Sequence, residues 1–231
     1  MKKLILFGFL FSLPLLTAFT FVAPGEITIN PTDLSGTTTT TIAVSDQEIE
    51  DLAYMREEEK LAHDVYLFLY SRWELPIFSN IAASELTHTN AVLSLLERYG
   101  IDDPAKDLQP GEFKNQDLQT LYNQLITTSS KSLADALRVG AAIEEIDIRD
   151  LDNAIEASHS ADIQQIYRNL QQGSNNHLRA FAGTLEGYTG SPYTPQYLSA
   201  EAYQAVMTGS NGNGQRNNQN GNRGFGRGNQ P

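Results

Sequence analysis

The sequence of 231 residues contains no cysteine. It therefore has no disulfide and no thiol nucleophile, and it cannot form a Cys-ligated zinc site, an iron–sulfur cluster or a rubredoxin-type iron site. The stability of the fold must come from packing, from bound ligands or from assembly.

Basic residues are also scarce, since 16 lysines and arginines stand against 28 aspartates and glutamates, and the formal net charge is -12. Arginines without any acid follow Thr208, so the body of the chain is more acidic than the total indicates. An acidic body repels nucleic acid and anionic membrane surfaces and attracts cations. We expect no nucleic-acid partner, and metal ions are the ligand class that the charge favours.

The two ends of the chain differ from its centre. Residues 1–23 combine two lysines, a long apolar run and small residues, the layout of a secretory signal peptide. The alternative is an uncleaved N-terminal anchor, which would be the one route to membrane association. Both predict export, to the periplasm, the cell surface or the medium. Residues 24–44 are predicted to form a Thr-rich linker, and residues 209–231 a disordered Asn/Gly/Arg-rich tail.

Residues 45–208 carry helical patterns without a competing strand pattern. Ser45 and Glu48 form a capping box that predicts the start of the first helix. Short, long and short links between four long helices predict an all-α, ferritin-like four-helix bundle, with one long crossover that carries an extra short helix and a C-terminal wrap. The long helices are predicted at about 46–72, 79–100, 132–153 and 161–186, and the short ones at about 115–128 and 199–207.

Each long helix has an inward apolar line that is interrupted near its middle. A lone buried Glu or His is usually a hydrogen-bonded core residue. Burying several such residues at one depth, without an inward Lys or Arg, would cost many kcal/mol of folding free energy if their charges were not compensated. A pair of divalent cations would compensate them. The interrupting residues are Glu59, Glu85, His88, Glu144, Asp147 and His177.

Ferritin-like dimetal sites take one Glu from each of two helices and Glu-x-x-His from each of the other two. The sequence fits this pattern except on the last long helix, where Ser174 stands three residues before His177 in place of Glu. Asp147, one turn after Glu144, is the candidate replacement. The alternatives, if the helical phase differs by one residue, are Glu58, Glu145 and Asn176.

Four segments, "EEEKLAHDVY", "SELTH", "VGAAIEEIDIRDL" and "GSNNHLRAF", resemble an uncharacterised bacterial and archaeal family of the ferritin-like superfamily, a domain of unknown function. The resemblance covers about residues 46–205. The segment "EKLAHDVY" is also distantly similar to the first helix of rubrerythrins, which implies that Glu59 rather than Glu58 binds metal. Rubrerythrin similarity in the third long helix implies a carboxylate pair at Glu144 and Asp147.

Carboxylate oxygens with two imidazoles suit iron or manganese by ligand type. We expect Glu59 and His88 on one ion, Asp147 and His177 on the other, and Glu85 and Glu144 as bridges. The predicted function is an exported dimetal oxidoreductase acting on Fe(II), oxygen or peroxide. The alternative is a non-catalytic bundle with a structural or sensory metal site or an interaction role, and a homodimer is compatible with either.

Overall fold

The structure of the protein is a computed structural model that describes residues 44–209. The all-helical prediction is confirmed, because this part of the chain forms six helices and no strand. The segments expected to be a signal or anchor, most of the linker and nearly all of the tail lie outside the described residues. The helices are α1 (Asp46–Trp73), α2 (Pro76–Tyr99), α3 (Gln116–Ser129), α4 (Leu133–Ala157), α5 (Ala161–Thr189) and α6 (Ala200–Thr208).

Local chemistry sets the helix ends. Helix α1 begins at the predicted capping box, where the Ser45 side chain accepts from the Glu48 N–H and the Glu48 carboxylate accepts from the Ser45 N–H. Helix α2 begins earlier than expected, at Pro76, because proline is well suited to the first helical turn. Helix α5 extends to Thr189 and stops at Gly190, whose φ of 72° is readily adopted by glycine. None of the helices between residues 44 and 209 is long and apolar enough to cross a lipid bilayer.

The long helices pack as two pairs, α1 with α2 and α4 with α5, and α3 lies against α1 and α4. Two apolar clusters fill the bundle. One contains Tyr66, Phe78 and Phe181, and the other contains Leu52 and Leu95. Along each long helix, the polar interruptions of the inward line fall between residues of one cluster and residues of the other. A buried polar layer therefore divides the core.

Three other buried carboxylates hold connecting segments against the bundle. Glu48 accepts hydrogen bonds from the backbone N–H groups of residues 159 and 160, each at 3.0 Å, at the link between α4 and α5. Glu57 accepts from the N–H groups of residues 114 and 115, before α3. Glu145 accepts from the N–H groups of residues 196 and 197, in the segment before α6, at 2.8 and 2.7 Å. Backbone donors thus hold at least one oxygen of each of these acids, which ties the connecting segments to the helices.

We expect Glu48→Gln to lower the free energy of unfolding by about 2 kcal/mol near pH 7, because hydrogen bonds to a charged acceptor are weakened. Burial raises the pKa of Glu48, but hydrogen bonds from Ser45, Ser158 and Ser160 outweigh burial and hold the pKa well below its usual 4.5. A lowered folded-state pKa means that the stabilisation is complete above the unfolded-state pKa and declines as pH falls toward the folded-state value.

Urea unfolding of the wild type and Glu48→Gln near pH 7 and about pH 3 measures this effect. The difference between the two proteins should be smaller at the lower pH. The matched control is Glu50→Gln, on the exposed side of the same helix. Equal differences at both pH values would contradict the assignment.

Candidate metal centre

The buried polar layer is built by the four long helices. All six sequence-predicted ligands are at most 9% exposed. Among the described residues, the glutamates of this layer form ion pairs only with the two histidines of the layer. The layer takes Glu59 from α1, Glu85 and His88 from α2, Glu144 and Asp147 from α4, and His177 from α5.

Five of these residues form two triads that share Glu85, and the ligand atoms within each triad lie within 4.8 Å of one another. In the first triad, Nδ1 of His88 is 3.3 Å from Oε2 of Glu59 and 2.8 Å from Oε2 of Glu85. In the second, Nδ1 of His177 is 2.7 Å from Oε1 of Glu85 and 3.4 Å from Oε2 of Glu144. Each oxygen of Glu85 therefore contacts a different imidazole.

Asp147 lies in the same layer but outside both triads. We expected Asp147 and His177 to bind the same ion, but the structure does not group these two residues. Oδ2 of Asp147 accepts a hydrogen bond from the hydroxyl of Ser174, and its Oδ1 has no hydrogen-bond partner. Ser174 stands on α5 in place of the expected glutamate, and Asp147 was the candidate replacement for that glutamate. The two residues are therefore hydrogen-bonded to each other.

The three alternative ligands occupy different surroundings. Glu145 is buried, but it accepts hydrogen bonds from backbone N–H groups, as described above. Asn176 is exposed and its amide oxygen accepts a hydrogen bond from Arg179. Glu58 is buried beside the polar layer without belonging to either triad. The geometry thus favours Glu59 over Glu58 as the ligand from α1.

The two histidines and Glu85 stabilise one another as ions. Burial lowers the pKa of His88, but Glu59 and Glu85 outweigh burial and raise the pKa to about 11. Burial likewise lowers the pKa of His177, whereas Glu144 and Glu85 raise the pKa to about 10. Burial raises the pKa of Glu85, but both histidines oppose this and bring the pKa down to about 2. Protons on the imidazoles thus balance part of the negative charge.

For the remaining carboxylates of the layer, burial and neighbouring carboxylates outweigh the contacts with the histidines. Burial and the neighbouring charge of Asp147 raise the pKa of Glu59 well above its usual value. Burial and Glu85 raise the pKa of Glu144. Burial and Glu144 raise the pKa of Asp147 to about 8. Crowded carboxylates with raised pKa values are a common property of functional sites.

Several buried polar atoms of the triads make no hydrogen bond of regular geometry, although Nδ1 of each histidine lies within 2.8 Å of a Glu85 oxygen. They are Nδ1 of His88, Nδ1 of His177, Oε1 of Glu59 and Oε1 of Glu85. Buried polar groups in proteins are nearly always hydrogen-bonded, so a cluster of unsatisfied atoms calls for an explanation. Carboxylate oxygens and imidazole nitrogens that converge in this way have the chemistry of metal ligands. The residues present therefore fit a divalent metal.

Tyr66 and Ser84 hold two of the triad side chains in place. The Tyr66 hydroxyl lies 2.5 Å from Oε1 of Glu144, and its ring packs on Phe181 with centroids 5.2 Å apart. The hydrogen bond of Tyr66 joins α1 to α4, so it cannot be read from the sequence. The Ser84 hydroxyl lies 3.0 Å from Nε2 of His177, so Nδ1 is the nitrogen left for a ligand role.

Gly173 makes room for the imidazole of His88. A Cβ at this position would lie 2.5 Å from both Cε1 and Nε2 of His88. The ring has little freedom to move away, because its other side contacts Glu59 and Glu85. This requirement cannot be seen in the sequence, because it arises only where α2 and α5 pack together.

Comparisons with known proteins place the same region in one family. A family model described as "Uncharacterized protein domain (DUF2202)" matches residues 48–210. The chain is 51% identical over 167 residues to the uncharacterized protein MJ0754 of Methanocaldococcus jannaschii, covering 72% of this chain and 90% of that protein. The crystal structure of hypothetical protein MJ0754 from Methanococcus jannaschii matches with a TM-score of 0.70 at 51% identity, covering 72% of this chain and 94% of that one. The resemblance to a domain of unknown function is confirmed.

We expect Gly173→Ala to lower the free energy of unfolding by about 1–3 kcal/mol, because the added methyl group overpacks the His88 site. The matched control is Gly183→Ala on the same helix, where no atom lies within 4 Å of the added Cβ. That control should gain roughly 0.5–1 kcal/mol from better helix propensity. Urea unfolding of both variants tests the contact, and equal stabilities would contradict it.

Proposed function

The chain belongs to the DUF2202 family of uncharacterized protein domains, and we propose that it binds two divalent metal ions, iron or manganese, in the buried polar layer. One observation carries this proposal: Glu85 is shared by two buried triads, with one oxygen beside each histidine. A carboxylate in that position can bridge two ions. Nδ1 of each histidine lies within 2.8 Å of a Glu85 oxygen without regular hydrogen-bond geometry, so these atoms are placed as ligands of a cation would be.

We further propose that the bundle is ferritin-like. The pairing of α1 with α2 and of α4 with α5, joined through a long connection that contains α3, supports this arrangement. The ligand pattern supports it as well, with a Glu on α1, Glu-x-x-His on α2, a Glu on α4 and a His on α5. Ser174 remains the departure from that pattern.

The charges of the layer support two ions rather than one. Four carboxylates lie in the layer, those of Glu59, Glu85, Glu144 and Asp147, and with neutral imidazoles they carry four negative charges. Two divalent cations carry four positive charges. In this assignment Glu59 and His88 would hold one ion, Glu144 and His177 would hold the other, and Glu85 would be shared between them. Asp147 supplies charge beside the pair.

We propose oxidoreductase chemistry with Fe(II), oxygen or peroxide at this centre, in a protein exported by its N-terminal segment. A bound pair of iron or manganese ions supplies a two-electron change. The chain itself supplies ligands, orientation and a dry environment. Tyr66 and Ser84 orient Glu144 and His177, and apolar clusters on both sides of the layer limit access of water.

Metal analysis after loading with iron or manganese tests the centre. We expect about two ions per chain in the wild type. Glu85→Ala should lose both ions because it removes the shared ligand, whereas His88→Ala and His177→Ala should each lose about one. Folding of each variant is checked by far-UV circular dichroism.

The matched controls are His159→Ala and Glu145→Gln. His159 is an exposed histidine, and Glu145 is a buried glutamate beside Glu144 that accepts backbone hydrogen bonds. Both should retain the wild-type metal content. A wild type that takes up no metal would contradict the proposal, and so would full retention of metal in Glu85→Ala.

Oxygen or peroxide consumption by the iron-loaded protein separates a catalyst from a structural or sensory site. We expect consumption by the loaded wild type that falls at least about tenfold in Glu85→Ala, because the shared ligand positions both ions. His159→Ala should consume oxygen at the wild-type rate. A protein with two bound ions and no consumption above free Fe(II) would support the non-catalytic alternative.

A further inference from the structure

The two triads of the buried layer are nearly identical in their inner geometry. Each combines one imidazole, one glutamate of its own and the shared Glu85. The distance from Nδ1 to a Glu85 oxygen is 2.8 Å for His88 and 2.7 Å for His177, and the distances to the other glutamate are 3.3 and 3.4 Å. The two histidines are also equally buried, at 9% and 8% exposure. Ligand type, spacing and burial therefore give neither triad an advantage in binding a cation.

Hydrogen bonds from outside the triad hold both ligands that belong to the His177 triad alone. Nε2 of His177 lies 3.0 Å from the Ser84 hydroxyl. The Tyr66 hydroxyl lies 2.5 Å from Oε1 of Glu144 and 3.3 Å from the backbone carbonyl oxygen of Gly140. Tyr66 is itself fixed, because its ring is fully buried in the core. The imidazole and the carboxylate of this triad are thus oriented before any cation binds.

The His88 triad has no such support within residues 44–209. No side chain of this part of the chain hydrogen-bonds to Nε2 of His88, and the group beside that nitrogen is the backbone of Gly173, where an added Cβ would lie 2.5 Å away. Oε1 of Glu59 makes no hydrogen bond of regular geometry, and Oε2 of Glu59 lies 3.3 Å from Nδ1 of His88. The difference between the triads therefore lies outside their ligands.

Outer hydrogen bonds of this kind affect the affinity of a metal site. Loss of one such partner typically lowers metal affinity by about 10- to 100-fold. A ligand without a partner must be ordered by the cation itself, and the side-chain entropy lost in that ordering reduces the free energy of binding. A triad with two fixed ligands should therefore bind a cation more tightly than a triad with none.

We propose that the two ions bind unequally, the first in the His177 triad and the second, at least about tenfold more weakly, in the His88 triad. This inference rests on the proposed two-ion centre and deepens it by assigning the order in which the triads fill. Ser84 and Tyr66 are the positioning residues that create the difference. The ion beside His88 is then the one that exchanges more readily with solvent.

Titration calorimetry of the metal-free protein with Co²⁺ alone tests this order. We expect two binding steps whose dissociation constants differ by about tenfold or more. His177→Ala should remove the tighter step, and His88→Ala should remove the weaker one. Two steps of equal affinity, or loss of the tighter step in His88→Ala, would overturn the inference and leave the two-ion centre standing.

Variants of the positioning residues, measured with one triad at a time, separate this role from a general structural one. In the His88→Ala background, where the His177 triad remains, Ser84→Ala and Tyr66→Phe should each weaken Co²⁺ binding by about 10- to 100-fold. In the His177→Ala background, the same changes should alter the affinity by less than about twofold, because their hydrogen bonds do not reach the His88 triad. Ser84 is only half-buried, so Ser84→Ala keeps the test available if Tyr66→Phe fails to fold.

The matched controls are Thr87→Ala and Tyr167→Phe, which should keep the wild-type affinity in both steps. The Thr87 hydroxyl, also on α2, donates to the backbone carbonyl oxygen of Ala83. Tyr167 is as fully buried as Tyr66, but its hydroxyl has no hydrogen-bond partner. Equal effects of Ser84→Ala in the two backgrounds would overturn the inference. A wild type that binds no Co²⁺ would overturn the two-ion centre itself.

Discussion

Glu85 contacts two buried imidazoles and so joins the four long helices at the centre of the bundle. Its oxygens lie 2.8 Å from Nδ1 of His88 and 2.7 Å from Nδ1 of His177. Around it, four helices place acidic residues in one layer between two apolar clusters. Burial of so many ionisable groups is costly unless their charges are balanced, and protons on the histidines balance them only in part. Metal ions would complete the balance, which is why we regard the layer as a binding site.

The buried acids of the bundle fall into two groups with different physical roles. Glu48, Glu57 and Glu145 accept backbone N–H groups and fasten connecting segments to the helices. Glu59, Glu85 and Glu144 instead contact the imidazoles of the buried layer and accept no backbone N–H group of a connecting segment. Burial alone therefore does not identify a ligand. The distinction lies in whether backbone donors satisfy the carboxylate, and this can be read only from the folded chain.

Helix positions and inward residues were predictable because they depend on local spacing. The capping box at Ser45, the helical period and the link lengths gave all six helices, and the interrupted lines located the buried layer. The partner of Asp147 was not predictable, since it depends on how α4 and α5 face each other and on the short reach of an aspartate. The roles of Ser84 and Gly173 likewise depend on contacts between distant helices. Export and the dimetal reaction remain proposals.

The two-ion centre can be tested by soaking crystals of the protein in Mn²⁺ or Fe²⁺ and measuring anomalous diffraction at the metal edge. We expect two peaks about 3.5–4 Å apart. One should lie against Nδ1 of His88 and the other against Nδ1 of His177, with Glu85 between them. A metal-soaked crystal without a peak in the buried layer, or with a single peak that leaves one histidine against Glu85, would contradict it.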